Sequence, residues 1–308
     1  MDLDLLSNSL ARALAFSTPL LWAALGEVYA ERSGVVNLGV EGMMIMGAII
    51  GFAGAMGTGS VLIGLLLAIL VAGLAAFFHA FVSVTIKANQ YISGLALTTL
   101  GLGLAGLIGR GYEGRPLENP MQTVSIPLLK DIPVLGPAFF QEQHILTYGG
   151  IVMAVLLWFV LYKTRLGLNI RSVGESPQAA DTAGLNVALI RYSAVIFGGA
   201  MAGVAGAFLS LAYRPSWSEG MTAGMGWIAL AITIFALWDP VRAIFAALLF
   251  GLFFYLSFSL QSYFAPQLLK LMPYVCTIIA LSLTALGKGG RAFSAPDAIG
   301  EPYERGKR

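Results

Sequence analysis

From Met43 to Ile86 the chain runs for 44 residues without one Asp, Glu, Lys or Arg. One crossing of a bilayer takes about 20 apolar residues in a helix, so this run holds two crossings joined by little more than a turn. At its mouth stand Asn37, Glu41 and six glycines between Gly34 and Gly54. Polar side chains and exposed backbone are costly beside hydrocarbon. Where they persist, they serve a pathway or a packed interface.

The rest of the composition agrees. Of 308 residues, 57% are hydrophobic and 11% charged, against about 25% charged in a soluble domain. The net charge of +2 names no partner, and nucleic acid is not expected. The one cysteine, Cys276, sits in an apolar run and can form neither an intrachain disulfide nor a cysteine-rich metal site. The start, Met-Asp-Leu-Asp, lacks the basic stretch and short apolar core of a cleaved signal peptide. His79 and His144 show no metal-ligand spacing.

Apolar runs rich in Gly, Ala, Leu and Ile place helical spans at 13–30, 36–56, 61–84, 90–109, 145–162, 190–212, 221–238, 243–262 and 271–286. The expected fold is an all-α polytopic membrane protein with eight or nine transmembrane helices, some broken or re-entrant. Residues 1–286 form one transmembrane domain. Within it, 110–143, with five prolines, is an extramembrane loop and 163–189 is a second polar segment; 287–308 is a tail. One set of connections carries Arg32, Lys87, Lys163, Arg165, Arg171, Arg191, Arg242 and the tail's Lys288, Arg291, Arg305, Lys307 and Arg308. The alternate set carries Arg12, Arg110, Arg115, Lys130, Arg214 and Lys270. Twelve against six assigns the first set to the cytoplasm. The N-terminus is then outside, and 110–143 extracytoplasmic.

Glu41-Gly-Met-Met-Ile-Met-Gly47 is echoed by Glu219-Gly-Met-Thr-Ala-Gly224. Each is expected to open an apolar helix, the two running in opposite directions, as in an inverted repeat around a midplane pathway. A chance tripeptide match is the alternative. Asn37 and Glu41, four apart, share a face if that stretch is helical. Asn89, Gln90, Ser93 and Thr98 stand at the start of the fourth span. With Glu219, Thr222 and Trp227 they are candidates to line a pathway, neutral polar groups bonding a sugar or nucleoside and Tyr91 or Trp227 offering a stacking face. Interhelical bonding is the competing role for each.

In the polar segment, Ser176 can cap a helix beginning at Pro177, and Gly184 can end it. The short helix Pro177–Ala183 carries Ala179, Ala180 and Ala183, a small face suited to a groove on a partner. An ordinary solvated connection is the plain alternative.

The stretch Gly174-Glu-Ser-Pro-Gln-Ala-Ala-Asp-Thr-Ala-Gly-Leu-Asn-Val187 resembles the coupling segment of permease subunits of ATP-binding-cassette importers. The branch is the one for branched-chain amino acids, simple sugars and nucleosides. Leu25-Gly-Glu27, 31–44, Glu219–Gly224, Trp227-Ile-Ala-Leu-Ala231 and Gly300-Glu-Pro-Tyr-Glu-Arg-Gly306 are similar to its nucleoside and simple-sugar members. The resemblance implies an inner-membrane permease of a bacterium, moving a nucleoside or a related sugar-like molecule. It implies as partners a cytoplasmic ATPase that holds the ATP and Mg, a second related permease subunit in a heterodimer, an extracytoplasmic binding protein or lipoprotein, and membrane lipid. It carries Gly174, Glu175, Ser176, Pro177, Ala179, Ala180, Asp181, Ala183 and Gly184 over as ATPase-coupling residues. The family pattern commonly has a basic residue where this chain has Met225 and a glycine near Ala236, so substrate contacts around 219–238 are not carried over.

No Gly-x-x-x-x-Gly-Lys-Ser/Thr occurs, so the chain is not expected to hydrolyse ATP or bind a cofactor itself. Gly-x-Ser-x-Gly and His-Glu-x-x-His are also missing, leaving a membrane hydrolase without support. The rivals are a secondary transporter exchanging protons at Glu41 or Glu219, a branched-chain amino acid permease of the same family, and a membrane scaffold.

Overall fold

The computed structural model describes residues 3–261 except 128, ten positions between 264 and 282, and residues 295–305. Most of the ninth predicted span (271–286), Cys276 and half of the tail lie outside the described residues.

Ten α-helices are described: α1 Leu3–Arg32, α2 Val40–Thr58, α3 Val61–Ala80, α4 Gln90–Gly109, α5 Ile145–Lys163, α6 Arg165–Glu175, α7 Pro177–Thr182, α8 Val187–Phe208, α9 Met225–Phe235 and α10 Pro240–Ser259. Short π-helical turns extend α3 to Thr85 and α8 to Tyr213. Seven described helices are long and apolar enough to cross a membrane. The 110–143 loop carries a two-stranded antiparallel pair, β1 Thr123–Val124 and β2 Gln143–His144, with Thr123 opposite His144.

α1 and α8 form the centre, and α2, α3, α9 and α10 pack around them. Glycine makes the closest approaches possible. A methyl group on Gly26 would lie 2.5 Å from the Gly198 carbonyl oxygen, and one on Gly47 would lie 2.8 Å from Gly203 Cα. Lipid tails are as apolar as leucine, so helix association in a membrane relies on such close packing and on interhelical hydrogen bonds. The outer faces of α3, α4 and α5 expose Leu66, Leu70, Leu74, Leu95, Leu107, Val155 and Phe159, as lipid-facing surfaces do.

Two expectations are corrected here. Residues 36–39 are not helical; α2 begins at Val40. And 221–238 yields only the 11-residue α9, about 16 Å of helix, preceded by irregular chain from Arg214 to Gly224. Both interruptions reach the interior. Gly42 packs against Leu97, Thr98 and Gly101, midway along the 20-residue α4. α2 and α4 run parallel, whereas α9 runs the other way, from Glu41 towards the α1 terminus. The two interrupted helices thus run in opposite directions.

Candidate functional site

In the link 33–39, Ser33, Gly34 and Val35 still donate to Ala30 O and Glu31 O at the end of α1; residues 36–39 donate no such bonds, so their backbone needs partners from elsewhere. The fourth span supplies several. Gln90 Oε1 accepts from Val36 N at 2.8 Å, and Thr98 Oγ1 donates to Leu38 O at 2.8 Å. His79 Nε2 lies 3.0 Å from Val36 O, while its Nδ1 lies 3.0 Å from Ser93 Oγ. Asn37 is fully buried; its Nδ2 donates to Glu27 Oε1 at 3.1 Å and its Oδ1 accepts from Gly39 N. Of the predicted pathway residues, Asn37, Gln90, Ser93 and Thr98 therefore gather around this link. Asn89 stands apart, capping α4 through Ile92 N.

Glu41 belongs to a different constellation. Asn37 lies before α2, so the two do not share a helical face; Glu41 turns to the second break. Its Oε1 accepts from Thr222 Oγ1 at 2.6 Å and from Gly224 N at 3.0 Å, and its Oε2 accepts from Gly226 N at 2.6 Å. Glu41 is 4% exposed and Thr222 fully buried. The first amides of a helix lack intrahelical partners, and its N-terminus favours negative charge. Gly224, the N-cap of α9, has no side chain to accept them. A carboxylate from another helix does so instead. Gly226 permits the contact, since a methyl there would lie 2.5 Å from Glu41 Cα.

The other end of α9 is held by α1. Leu237 and Trp238 take left-handed backbone angles, φ +55° and +54°. Arg32 Nε donates to Trp238 O at 3.1 Å and its Nη2 to Leu237 O at 3.2 Å. The Trp238 indole donates to the Glu31 carboxylate. A carboxylate at its start and a guanidinium at its end hold this half-helix by both poles of its dipole.

Glu219 does not open α9. It lies six residues earlier, exposed, where its amide donates to Glu113 Oε1 at 3.4 Å. Trp227 is half-buried on α9 and packs against the central core.

The 163–191 segment folds more fully than a polar loop. Arg165–Glu175 is helical, capped by Thr164 through Gly167 N. α7 forms almost as expected, ending at Thr182 rather than Ala183. Ser176 Oγ accepts from Ala179 N, Pro177 occupies the first position, and Gly184 adopts φ +86°. One face reading changes. Ala180 is 3% exposed and packs with Val173 and Val187, so the outward surface consists of Gln178, Ala179, Thr182 and Ala183. Pro177 and Gly174 are buried, Glu175 is exposed, and Asp181 pairs with Arg305 at 3.0 Å.

This arrangement joins two inverted helix breaks to a projecting short helix at the end of the bundle holding Arg32, Lys87 and Arg191. The family model described as branched-chain amino acid transport system / permease component matches residues 9–281. The chain belongs to this permease family. It is a multi-pass membrane protein, the permease component of an ABC transport system. Among its relatives, the guanosine ABC transporter permease protein NupQ of Bacillus subtilis is 39% identical over all of both chains. The nucleoside ABC transporter permease protein NupC of Lactococcus lactis is 37% identical over 96% of each. A Haloferax volcanii protein designated a glucose ABC transporter permease, TsgC13, is 39% identical over 94% of this chain and 95% of its own. No solved structure matches the chain.

Sequence reasoning missed Glu27, Arg32 and Glu31 as members of this site. They lie in two of the segments similar to the family, and their position was a further signal: three ionisable residues on the last turns of an apolar helix, just before the glycine-rich link.

Proposed function

We propose that this permease imports a nucleoside or a related sugar-bearing molecule, driven by ATP hydrolysis on a separate cytoplasmic ATPase that docks on α7. The names of NupQ, NupC and TsgC13 support the substrate class. The single observation that carries the mechanism is the three-bond cradle of Glu41 on α9. Half-helices meeting at mid-depth are how transporters place polar backbone beside cargo. Asn37, Glu41, Gln90, Ser93, Thr98, Thr222 and Trp227 would brace or line that region, with Asn89 and Glu219 nearer the entrances. The coupling end, bearing the excess of basic residues, faces the cytoplasm. A second related permease completes the pore, and an extracytoplasmic binding protein delivers the cargo. Gly174 to Gly184 transmit the ATPase movement, ATP and Mg remaining on the partner.

The test uses Ala183→Arg, which places a long charged side chain on the outward face of α7 and leaves Ala180 packed. ATP hydrolysis stimulated by the loaded binding protein is expected to fall by at least about tenfold, with the permease still extracted as a folded protein. Full stimulated hydrolysis and uptake in that variant would refute docking on α7. Ligands retained by the co-purified binding protein, identified by mass spectrometry, decide the substrate; a branched-chain amino acid there overturns the nucleoside assignment.

A further inference from the structure

Residues 295–305 lie against elements from four parts of the chain. Ala298 N donates to Gly174 O at 2.9 Å, at the end of α6, and Gly300 N donates to Gly34 O at 3.1 Å, in the re-entrant link. Arg191 Nη1, from α8, donates to Glu301 O at 3.0 Å. Arg305 pairs with Asp181 on α7, and Tyr303 packs on the Val173, Ala180 and Val187 cluster. The fit is close. Gly34 has φ +88°, and a methyl there would lie 2.9 Å from Arg191 Nη2 and 3.1 Å from Ala298 O.

We propose that this segment is a strap that makes α6, α7 and the link 33–39 one mechanical body. Displacement of α7 then reaches Glu41 and the start of α9 through Gly34 rather than through α8 alone. Three observations support this over a passively seated tail. The strap bonds to the carbonyl of Gly34, at the point where the chain leaves α1 and enters the link. Arg191 is 1% exposed, and its Nε and Nη2 have no partner among the described residues; a buried cation with so few bonds is costly, and the strap carbonyl is what it serves. And a cavity of about 450 Å³, lined by Lys87, Asp181, Asn186, Arg191, Tyr303 and Arg305, separates part of the strap from the α7–α8 turn. On that side the Arg305–Asp181 pair, both residues lining the cavity, joins the strap directly to α7.

The proposal rests on α7 being the docking lever, and two readouts separate the two ideas. Variants are a chain ending at residue 294 and Ala298→Pro, which removes one strap amide and leaves the rest of the chain intact. The first readout is amide hydrogen exchange over 33–39 and 165–183 in the purified permease without ATPase. Exchange in both segments is expected to rise together by about 5-fold or more; unchanged exchange at 33–39 in both variants overturns the strap, whatever the ATPase does. The second is ATP hydrolysed per substrate transported in the assembled complex, expected to rise by about 5-fold. A variant that assembles less complex but keeps the parental ratio has lost only structural support, and that too overturns the proposal. Absence of any ATPase from the parental complex instead defeats docking on α7, and the exchange result still decides the strap.

Discussion

Glu41 Oε2 lies 2.6 Å from the amide of Gly226, 185 residues away in sequence. This bond fastens the start of one broken helix to the start of the other. With the Thr222 and Gly224 bonds it gives α9 an N-terminal cap that its own sequence lacks, because Gly224 offers no side chain.

Glu41→Gln replaces a group that accepts three bonds with one whose amide nitrogen meets a backbone N–H. Hydrogen bonds to charged groups contribute about 1.5–3 kcal/mol, so the variant is expected to lose at least about 2 kcal/mol, read as a lower thermal midpoint in detergent. Thr222→Val should cost about 1 kcal/mol. The double variant should cost less than the sum, since Glu41→Gln already strips the Thr222 bond of its charged acceptor. Strict additivity would contradict the cradle.

Gly101 and Gly103 are two residues apart on α4, yet their substitutions should differ. A methyl on Gly101 would lie 2.6 Å from Gly42 O, whereas one on Gly103 meets nothing within 4 Å. Gly101→Ala is expected to destabilise by about 1–3 kcal/mol and Gly103→Ala to stay within about 0.5 kcal/mol. Thermal unfolding of the two proteins side by side checks this.

Arg32→Gln removes the charge that faces the end of α9 and two bonds to carbonyls in left-handed residues. A loss of about 1–2 kcal/mol is expected. Faster hydrogen exchange should appear at Ala236–Asp239 before it appears in α8. An unchanged exchange pattern would show that Arg32 does not hold this corner.

His144 sits at the β2–α5 junction, its ring 5.5 Å from that of Phe208. Burial holds its pKa below the ordinary histidine value despite a backbone bond near Met121. The unfolded chain therefore binds the proton more readily, and stability must rise with pH until the unfolded-state value, about 6.5, is passed. Lowering the pH from about 7.5 to about 5 should reduce the thermal midpoint of the parent more than that of His144→Gln. Equal falls would mean another group governs the transition.

The helix spans and α7 were legible because their signals are local. Ser176, Pro177 and Gly184 are a cap, a helix start and a left-handed terminator, each acting within one turn. Arg165–Glu175 was harder, its two glycines and mixed charge concealing the Thr164 cap. The break before α2 was not legible at all: Val36 to Gly39 read as apolar helix, and what releases them is bonding to Gln90, His79 and Thr98, far along the chain. The inward turn of Ala180 had the same source, since Val173 and Val187 lie outside α7.

The order of residues alone settled that this chain crosses a membrane, roughly where it does so, and that a capped short helix interrupts the crossings, because hydropathy and capping depend on neighbours. Tertiary packing settled which polar groups meet: Glu41 with α9, Arg32 with its far end, the C-terminal segment with Gly34. In a medium without water each exposed amide and carbonyl must find a protein partner, and which partner is within reach depends on how the helices stack.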